Sequence, residues 1–456
     1  MKRYISSSLV IALLLFAGSA LAQVQRTITL EEAIEIALEN NYQLKQAKNN
    51  LDLADYRVKS EYADFLPSIN AGFNGSRTSG QQFVQEEVAF RDVISKSVGG
   101  NLSASIPVFN GFENINSLRA NQQSKLSEEQ SYQRAKEQVI FNTASNYLQV
   151  LLDMELIEIR RENLENSQKQ LEQVQAQVEV GSRPTVDLYN QEAQVANEEL
   201  LLTQQENSLK FSKIVLVRQL QIDPMGDYQF TVPDIESEIN SEVIESYSLS
   251  ELIDQALLNR SDLKSAISDI RALEYQLDIV KGNLYPSLSV NASVSSRYSD
   301  RYSLPGETDI VDFSDQFFDQ QINKSIGFSM SFPIFQNWNR MTSIQSSKIQ
   351  LKNAELNLDN SRLQVIQEVT QAYNDYSSYM RQLSASEKSL IASERAFETQ
   401  QERYNVGSST LIELSQAQAN YVEAQSNYTQ AMYNLIFQEK LLDYFLGKLS
   451  GDSIKF

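Results

Sequence analysis

Two periods of hydrophobic residues alternate along this chain, and the first is a period of two. Apolar side chains occupy every second position in four short segments, with serine, asparagine or glycine between them. The four segments span residues 68–74, 101–106, 288–295 and 326–332. This alternation predicts four β-strands in two hairpins, each strand with one apolar and one small polar face. Transmembrane barrel strands have this pattern, although any one strand alone would better fit an ordinary half-buried sheet.

The second period is seven, and it occupies two long segments without glycine or proline, 112–180 and 334–406. Apolar residues recur at Ile157, Leu164, Leu171 and Val178 in one segment and at Leu383, Leu390, Phe397 and Tyr404 in the other. Such a repeat predicts helices of roughly 100 Å that pack through narrow coiled-coil seams. Gly181 and Gly407 end these helices, and a second breaker-free run follows each glycine. Each half therefore contains a long helical hairpin.

A shorter helix is predicted to open each half of the chain. Thr29 with Glu32, and Ser248 with Glu251, have the spacing of a capping box, in which a hydroxyl and a carboxylate satisfy backbone N–H groups. The two helices should run to about residues 63 and 282, where the period changes to that of a strand.

The two halves are copies of one unit. An offset of 219 residues superposes Leu30, Pro67 and Ser68 on Leu249, Pro286 and Ser287, and an offset of 226 superposes Pro107, Tyr147 and Gly181 on Pro333, Tyr373 and Gly407. The change of offset places a seven-residue insertion in the second hairpin. We predict a first repeat at 23–227 (helix, β-hairpin, long helical hairpin), an equatorial linker at 228–246, a second repeat at 247–447 and a tail at 448–456.

Residues 1–22 are predicted to be a signal peptide. Lys2 and Arg3 precede an apolar run from Leu9 to Phe16, and Ala20 to Ala22 form a small-residue cleavage site. No later stretch of about 18 apolar residues follows, so membrane insertion would have to use the strands. Four strands leave open edges that a bilayer does not tolerate, so other subunits must close the barrel. Two copies would supply eight strands, three twelve and four sixteen; we expect twelve, which leaves room for a lumen.

Composition excludes most catalytic chemistry. The chain of 456 residues contains no cysteine and no histidine, which removes thiolate and imidazole metal ligands and Ser/His/Asp or Cys/His catalysis. Its formal net charge of −20 disfavours a nucleic-acid partner. The clusters Glu162, Glu165 and Glu172 and Asp312, Asp315 and Asp319 lack the spacing of a calcium loop. We therefore expect no enzyme activity, no metal and no cofactor.

Several motifs together resemble those of the TolC outer-membrane efflux family. They are L-x-E-A-I-x-x-A-L-x-N-N from Leu30, F-L-P-S-I from Phe65, I-P-V-F-N-G from Ile106 and the two V-G-S turns. The resemblance implies an α+β membrane protein: a homotrimer whose twelve-stranded transmembrane β-barrel, with four strands per chain, continues into a twelve-helix periplasmic α-barrel. It also implies a passive exit duct in the bacterial outer membrane, working with a periplasmic adaptor and an inner-membrane pump or ABC transporter. The alternative is a periplasm-spanning coiled-coil scaffold or adhesin.

The candidate functional residues lie at the ends of the predicted elements. The resemblance implies adaptor docking at the turns Val180, Gly181 and Ser182, and Val406, Gly407 and Ser408. It also implies a periplasmic gate of acidic residues, for which the candidates are Asp187, Glu413, Gln416 and Arg183. An acid near a helix start could instead simply complement the helix dipole. In the family the counterpart of Gln416 is acidic and the tip arginine lies in the second copy, where this chain has Ser409.

The ends of the predicted strands carry two further sets of residues. Prolines mark the strand–helix junctions, at Pro67, Pro107, Pro286 and Pro333. Aromatic residues follow the second and fourth strands, where they would form a girdle at the membrane interface: Phe109, Phe112, Phe335 and Trp338.

Overall fold

The computed structural model describes residues 26–84, 88–231, 248–304 and 309–449. The predicted signal peptide lies outside these ranges, as do most of the predicted linker and tail. The chain divides into two compact units. Among the described residues, a helical unit comprises 26–47, 132–231, 248–261 and 362–449, and a sheet unit comprises 48–84, 88–131, 262–304 and 309–361.

Helices make up most of both repeats. The first repeat contains α1 (Leu30–Asn40), α2 (Tyr42–Ala63), α3 (Glu113–Glu179) and α4 (Thr185–Leu220). The second contains α5 (Leu249–Asn259), α6 (Ser261–Gly282), a turn α7 (Phe313–Asp315), α8 (Asn339–Asn405) and α9 (Leu411–Phe445). The helices α3 and α8 have 67 residues each, which corresponds to roughly 100 Å of helix at the usual rise per residue.

Each opening helix is broken once, where a single continuous helix was predicted. The break falls at Asn41 between α1 and α2 and at Arg260 between α5 and α6, both with extended ψ values of 122° and 126°. Asn41 is buried, and its Oδ1 accepts the N–H of Leu44 at 3.1 Å, so it caps the second helix. Neither glycine nor proline marks these breaks, and the hydrophobic period continues through them. The predicted ends at residues 63 and 282 are confirmed.

Four strands form one antiparallel sheet in the sheet unit. They are β2 (Ser68–Val84), β3 (Ala89–Asn110), β5 (Ser287–Ser299) and β6 (Asn323–Ser331), in the order β2-β3-β5-β6. The first hairpin is longer than predicted, with strands of 17 and 22 residues. Pairing between β3 and β5 ends at Ser97 and Ser299, so the rest of β2 and β3 continues as a two-stranded ribbon. A hydrogen bond between the Ser76 and Ser97 hydroxyls, at 2.8 Å, lies at the base of that ribbon.

The two faces of the sheet have different chemistry. One face carries rows of apolar residues, such as Ile69, Ala104, Ala292 and Ile326, which are paired across all four strands. Its side chains are exposed in the chain, with Phe73 at 80% and Ile326 at 82%. The opposite face carries serine and asparagine side chains that bond one another: Ser105 to Asn291 at 2.8 Å, Ser289 to Ser329 at 2.7 Å and Ser293 to Ser325 at 2.8 Å. The sheet therefore has one apolar and one hydrophilic surface, as predicted.

The core of the helical unit surrounds a two-stranded parallel sheet. Its strands are β1 (Arg26–Ile28) and β4 (Tyr228–Phe230), and β4 lies where an irregular segment was predicted. The Tyr147 side chain of α3 is 1% exposed, and its hydroxyl lies 3.0 Å from both the Ile28 and the Thr231 carbonyl oxygens. Tyr147 thus joins the middle of α3 to the ends of both strands.

Replacing Tyr147 with phenylalanine should destabilise the protein by about 1–3 kcal/mol at neutral pH, because buried carbonyl groups lose a donor. Burial raises the pKa of Tyr147 to about 12. The unfolded hydroxyl ionises near pH 10, so the stability from Tyr147 is complete below that pH and is lost as pH rises toward 12. Denaturant titrations measure the free energy of unfolding at pH 8 and at pH 11. Between these two pH values it should fall less for Tyr147→Phe than for the wild type. Equal losses would contradict this assignment.

The predicted seam of α3 is shifted in the structure. The fully buried line on this helix is Asn163, Ser167, Gln170 and Val174, whereas the predicted Leu164 and Leu171 are half-buried. Polar residues can occupy this line because the neighbouring helices hydrogen-bond to them. Gln191 of α4 donates to the Ser167 carbonyl oxygen at 3.0 Å, and Gln418 of α9 donates to Asn163 Oδ1 at 2.7 Å. Of the other predicted seam residues, Ile157 and Tyr404 are buried, and Val178, Leu383 and Phe397 pack against buried clusters.

Candidate gate, docking turns and sheet surface

Both predicted docking turns have the same backbone structure. Gly181 and Gly407 have φ values of +75° and +77°, in the left-handed region that favours glycine. The N–H of Ser182 donates to the Gln177 carbonyl at 2.8 Å, and the N–H of Ser408 donates to the Arg403 carbonyl at 2.8 Å. These are Schellman turns that end α3 and α8. Val180 and Val406 next to them are 78% and 79% exposed, so each turn presents an apolar side chain to its surroundings.

Arg183 connects the first turn to the other helical hairpin. Its guanidinium carbon lies 4.1 Å from the centroid of the Tyr404 ring, near the end of α8. Its Nη1 also lies 3.7 Å from Asp187 Oδ2 in the first turn of α4. Tyr404 is 2% exposed and packs against Val174, Leu411 and Leu414. We call Arg183, Asp187 and Tyr404 the tip clasp, because they hold residues of the two hairpins together.

Glu413 is held at the start of α9. Its Oε2 accepts the Thr410 N–H at 2.9 Å and the Ser409 hydroxyl at 2.8 Å, while the Glu413 N–H donates to the Thr410 hydroxyl at 3.3 Å. This is a complete capping box. The Thr410 N–H and the two hydroxyls hold the pKa of the exposed Glu413 carboxyl below its usual range. Glu413 is therefore a negative charge bound to neutral donors, whereas Asp187 is paired with an arginine.

A shallow groove of about 610 Å³ runs between α8 and α9 beside the second turn. Small residues such as Ala392, Ala396 and Ala417 line it, together with Glu413 and Gln416. Gln416 is exposed and donates to Asn420 at 2.9 Å. Gln416 thus shares a surface with Glu413.

The prolines occupy two kinds of position. Pro67 and Pro286 directly precede β2 and β5, and Pro333 follows β6, so these three lie at strand–helix junctions. Pro107 does not: it lies inside β3, beside a register shift between Pro107 and Phe109. A proline cannot donate to the ladder, and a bulge accommodates it within a strand. Pro184 is the N-cap of α4.

The predicted aromatic girdle surrounds two left-handed turns. Gly111 and Phe112 have φ values of +68° and +67°, and their counterparts Asn337 and Trp338 have +46° and +64°. Phe112, Phe335 and Trp338 are 51%, 74% and 70% exposed. Phe109 lies within β3 rather than after it, and its ring is 5.2 Å from that of Phe112. The duplicated turn thus presents aromatic rings at the helix end of the sheet.

Sequence reasoning missed two parts of this site. The T-x-x-E spacing of Thr410 and Glu413 is a capping-box signal that could have been recognised. The contact between Arg183 and Tyr404 has no such signal, because the two residues belong to different hairpins. Tyr404 was predicted as a seam residue, and its burial agrees with that prediction.

Two features are absent from the part of the chain that the structure describes. Its helices include no apolar stretch long enough to cross a membrane. Its acidic side chains form no group of three that could hold a metal ion.

Comparison with known proteins identifies relatives over both repeats. The family model for outer membrane efflux proteins matches residues 33–220 and 252–448. The pyoverdine export outer membrane protein OpmQ of Pseudomonas putida is 26% identical over 281 residues, which cover 59% of this chain and 56% of OpmQ. The cation efflux system protein CusC of Escherichia coli is 24% identical over 272 residues, 59% of this chain and 56% of CusC. The matched region thus spans a little over half the length of these curated relatives.

Solved structures of outer-membrane channels share the fold. A crystal structure of CusC superposes with a TM-score of 0.79 at 19% identity and covers 92% of both chains. The CmeC outer membrane channel of Campylobacter jejuni superposes with a TM-score of 0.79 at 18% identity, covering 92% of this chain and 85% of CmeC. The mixed helix and strand fold is therefore that of outer-membrane channels. With residues 33–220 and 252–448 matched by the family model, the chain belongs to the outer membrane efflux protein family and is a protein of the bacterial outer membrane.

Proposed function

We propose that three copies of this chain form a passive exit duct of a tripartite efflux or type I secretion system. The two-faced sheet carries this proposal. Its apolar face suits lipid and its serine face suits water, as in the wall of a transmembrane barrel. Relatives with this fold export pyoverdine and cations, which supports transport as the function. The comparisons do not favour a scaffold or adhesin, and no reaction is proposed.

The open edges of the sheet support assembly from more than one copy. Within the described residues, β2 pairs with β3 alone and β6 with β5 alone, so each edge strand has unpaired backbone groups along one side. In a bilayer those groups need a partner, which the opposite edge of the next copy would supply. Three copies close twelve strands, and their long helices continue as a twelve-helix periplasmic α-barrel. Eight strands would leave an interior filled by side chains.

Cysteine crosslinking tests the closure directly, because the chain has no cysteine of its own. Gly72 of β2 and Gly327 of β6 lie on the hydrophilic face of the edge strands, and both have open space for a side chain. We expect a Gly72→Cys, Gly327→Cys double variant treated with a short bismaleimide to give dimers and trimers that require detergent for extraction. Asn101→Cys with Asn291→Cys, on the central strands, is the matched control and should give none. Bands that stop at dimer, or continue to tetramer, would contradict the trimer.

The helical ends are proposed to provide the gate and the docking site. The exposed Val180 and Val406 turns, with the groove beside Glu413, offer an apolar and small-residue surface for a periplasmic adaptor, which would link the duct to an inner-membrane pump or ABC transporter. The tip clasp would hold the entrance closed, because Arg183 joins the two hairpins through the buried Tyr404.

Opening the tip clasp should raise conductance. A cation–π contact contributes about 0.5–2 kcal/mol. Arg183→Ala removes three such contacts from a trimer, which should shift the equilibrium between the closed and the open entrance about tenfold or more toward the open state. The measurement is single-channel conductance in a planar bilayer. Arg161→Ala is the matched control, since Arg161 is 55% exposed and pairs with the exposed Glu158 of its own helix. Unchanged conductance of Arg183→Ala would argue against the clasp as a gate.

Measurements of charge selectivity distinguish the contribution of Glu413 from that of Asp187. If both line the entrance, removing their charge should lower the preference for cations. Glu413→Gln removes the charge and keeps a residue that completes a capping box, so the start of α9 should remain intact. Because Arg183 already neutralises Asp187, we expect a larger fall in the reversal potential of a KCl gradient for Glu413→Gln than for Asp187→Asn. If the variant that combines Glu413→Gln with Asp187→Asn has an unchanged reversal potential, Glu413 acts only as a helix cap.

A further inference from the structure

The insertion in the second hairpin builds an aromatic element that the first hairpin lacks. Between β5 and β6 the chain forms α7 and a π-helical turn, Gln316–Gln320, which together carry Phe313, Phe317 and Phe318. The ring of Phe317 lies 5.2 Å from those of both Phe313 and Phe318, and Phe313 lies 5.2 Å from Tyr298 of β5. We call Phe313–Gln320 the aromatic knob.

The knob is fixed to the sheet by a buried glutamine. Gln316 is 0% exposed, and its Nε2 donates to the carbonyl oxygens of Ser299 at 3.0 Å and Val311 at 2.6 Å. Its Oε1 accepts the Ser299 N–H at 2.9 Å, and the Ser296 hydroxyl donates to the Phe317 carbonyl oxygen. All the polar groups of Gln316 are thus used to hold the knob against the end of β5. The phenylalanine side chains are therefore held in place by the fold.

The knob lies on the apolar face of the sheet. A Cβ at Gly100 would lie 2.8 Å from the Phe317 ring and 3.0 Å from the Phe73 ring. Gly100 pairs with Phe73 and Ser296, so these residues share the face that also carries Ile69, Leu102 and Val294. Glycine at this position leaves the space that Phe317 fills.

The position of the aromatic knob in the sheet determines whether it faces a neighbouring copy or the surroundings of the barrel. β3 and β5 are the two central strands of the sheet, whereas a neighbouring copy would join at the edges β2 and β6. The knob is attached where β5 ends, at the opposite end of that strand from α6 and Pro286. Phe318 and Phe313 remain 69% and 44% exposed there.

We propose that the aromatic knob inserts into the interfacial region of the outer leaflet and anchors the extracellular rim of the barrel in lipid. The inference rests on the proposed barrel, because it extends the lipid-facing surface of the sheet by three phenylalanines. Aromatic side chains accumulate where acyl chains meet headgroups, and the exposed carboxylates Asp315 and Asp319 on the same segment can remain in the headgroup layer.

Fluorescence quenching by lipid tests the proposal, because Trp338 is the single tryptophan of the chain. In a Trp338→Phe background, Phe318→Trp would report from the knob and Phe328→Trp, at a position 79% exposed on β6, from the proposed lipid face. Tyr189→Trp, at a position 63% exposed on α4, would report from the helical unit. The full-length protein is reconstituted in phosphatidylcholine vesicles with and without bromine on the acyl chains near the headgroups.

We expect the bromolipid to quench tryptophan at 318 and at 328 roughly twofold or more and to leave tryptophan at 189 unchanged. Quenching at 328 without quenching at 318 would overturn the knob proposal and leave the barrel intact. Quenching at neither position would overturn the barrel itself. Blue-shifted emission at 318 without lipid quenching would mean that protein, such as a second copy, covers the knob, and would also overturn the proposal. Phe313→Trp serves as the second reporter if Phe318→Trp does not assemble.

Discussion

Arg260→Met should destabilise the protein by about 3–5 kcal/mol, because it leaves the Glu368 carboxylate in a largely buried position without its partner. The Arg260 side chain is 5% exposed at the break between α5 and α6, and its Nη1 donates to Glu368 of α8, whose side chain is 24% exposed. The next residue, Ser261, donates to Glu137 Oε1 of α3 at 2.9 Å. The break therefore joins two long helices through one arginine and one serine.

A double-mutant cycle measures the ion pair in denaturant titrations of the detergent-solubilised protein. Replacing both partners, Arg260→Met with Glu368→Leu, should restore part of the lost free energy of unfolding, since an apolar pair leaves no unpaired charge. Arg161→Met is the matched surface control and should change stability by less than about 1 kcal/mol, because its pair with Glu158 is exposed. A loss in the double variant equal to the sum of the losses of Arg260→Met and Glu368→Leu alone would show that the two charges are not coupled.

Gly111→Ala should destabilise the sheet unit by about 2–5 kcal/mol, from the strain of a left-handed alanine and from overpacking. A Cβ at Gly111 would lie 2.2 Å from the Gly282 carbonyl oxygen, a distance at which backbone has to move. Gly282 is the last residue of α6, so this contact holds the end of that helix against the turn between β3 and α3. The positive φ of +68° adds to the cost.

Gly181→Ala separates these two contributions. Gly181 has a similar φ of +75° but has nothing within 4 Å of a built Cβ, so it should lose only the conformational part, about 1–2 kcal/mol. Thermal unfolding followed by circular dichroism compares the two variants in the same detergent. Equal midpoints would indicate that the backbone contact at Gly282 contributes nothing.

Sequence patterns predicted the elements whose cause is local. The strands alternate because one face is apolar, and the turns at Gly181 and Gly407 follow from the glycine conformation that ends a helix. The duplication and its seven-residue insertion could also be read from the chain. The structure that the insertion forms could not be predicted, because the position of the aromatic knob depends on Gly100, in the other hairpin.

Two of the predictions that failed depend on a partner distant in the sequence. Polar Asn163 and Ser167 displaced the predicted leucine seam because Gln418 and Gln191 hydrogen-bond to them. Pro107 lies within a strand because the bulge beside it absorbs the missing N–H.

The sequence by itself determined the period of each segment, the helix terminators, the two faces of the strands and the absence of cysteine and histidine, because these depend on neighbouring residues and composition. Only the tertiary structure decided which polar groups could be buried and which backbones could touch. Arg183 with Tyr404, Arg260 with Glu368 and Gly111 with Gly282 each bring together groups from different segments. The free energy of such contacts depends on desolvation and close packing, which arise when the segments meet.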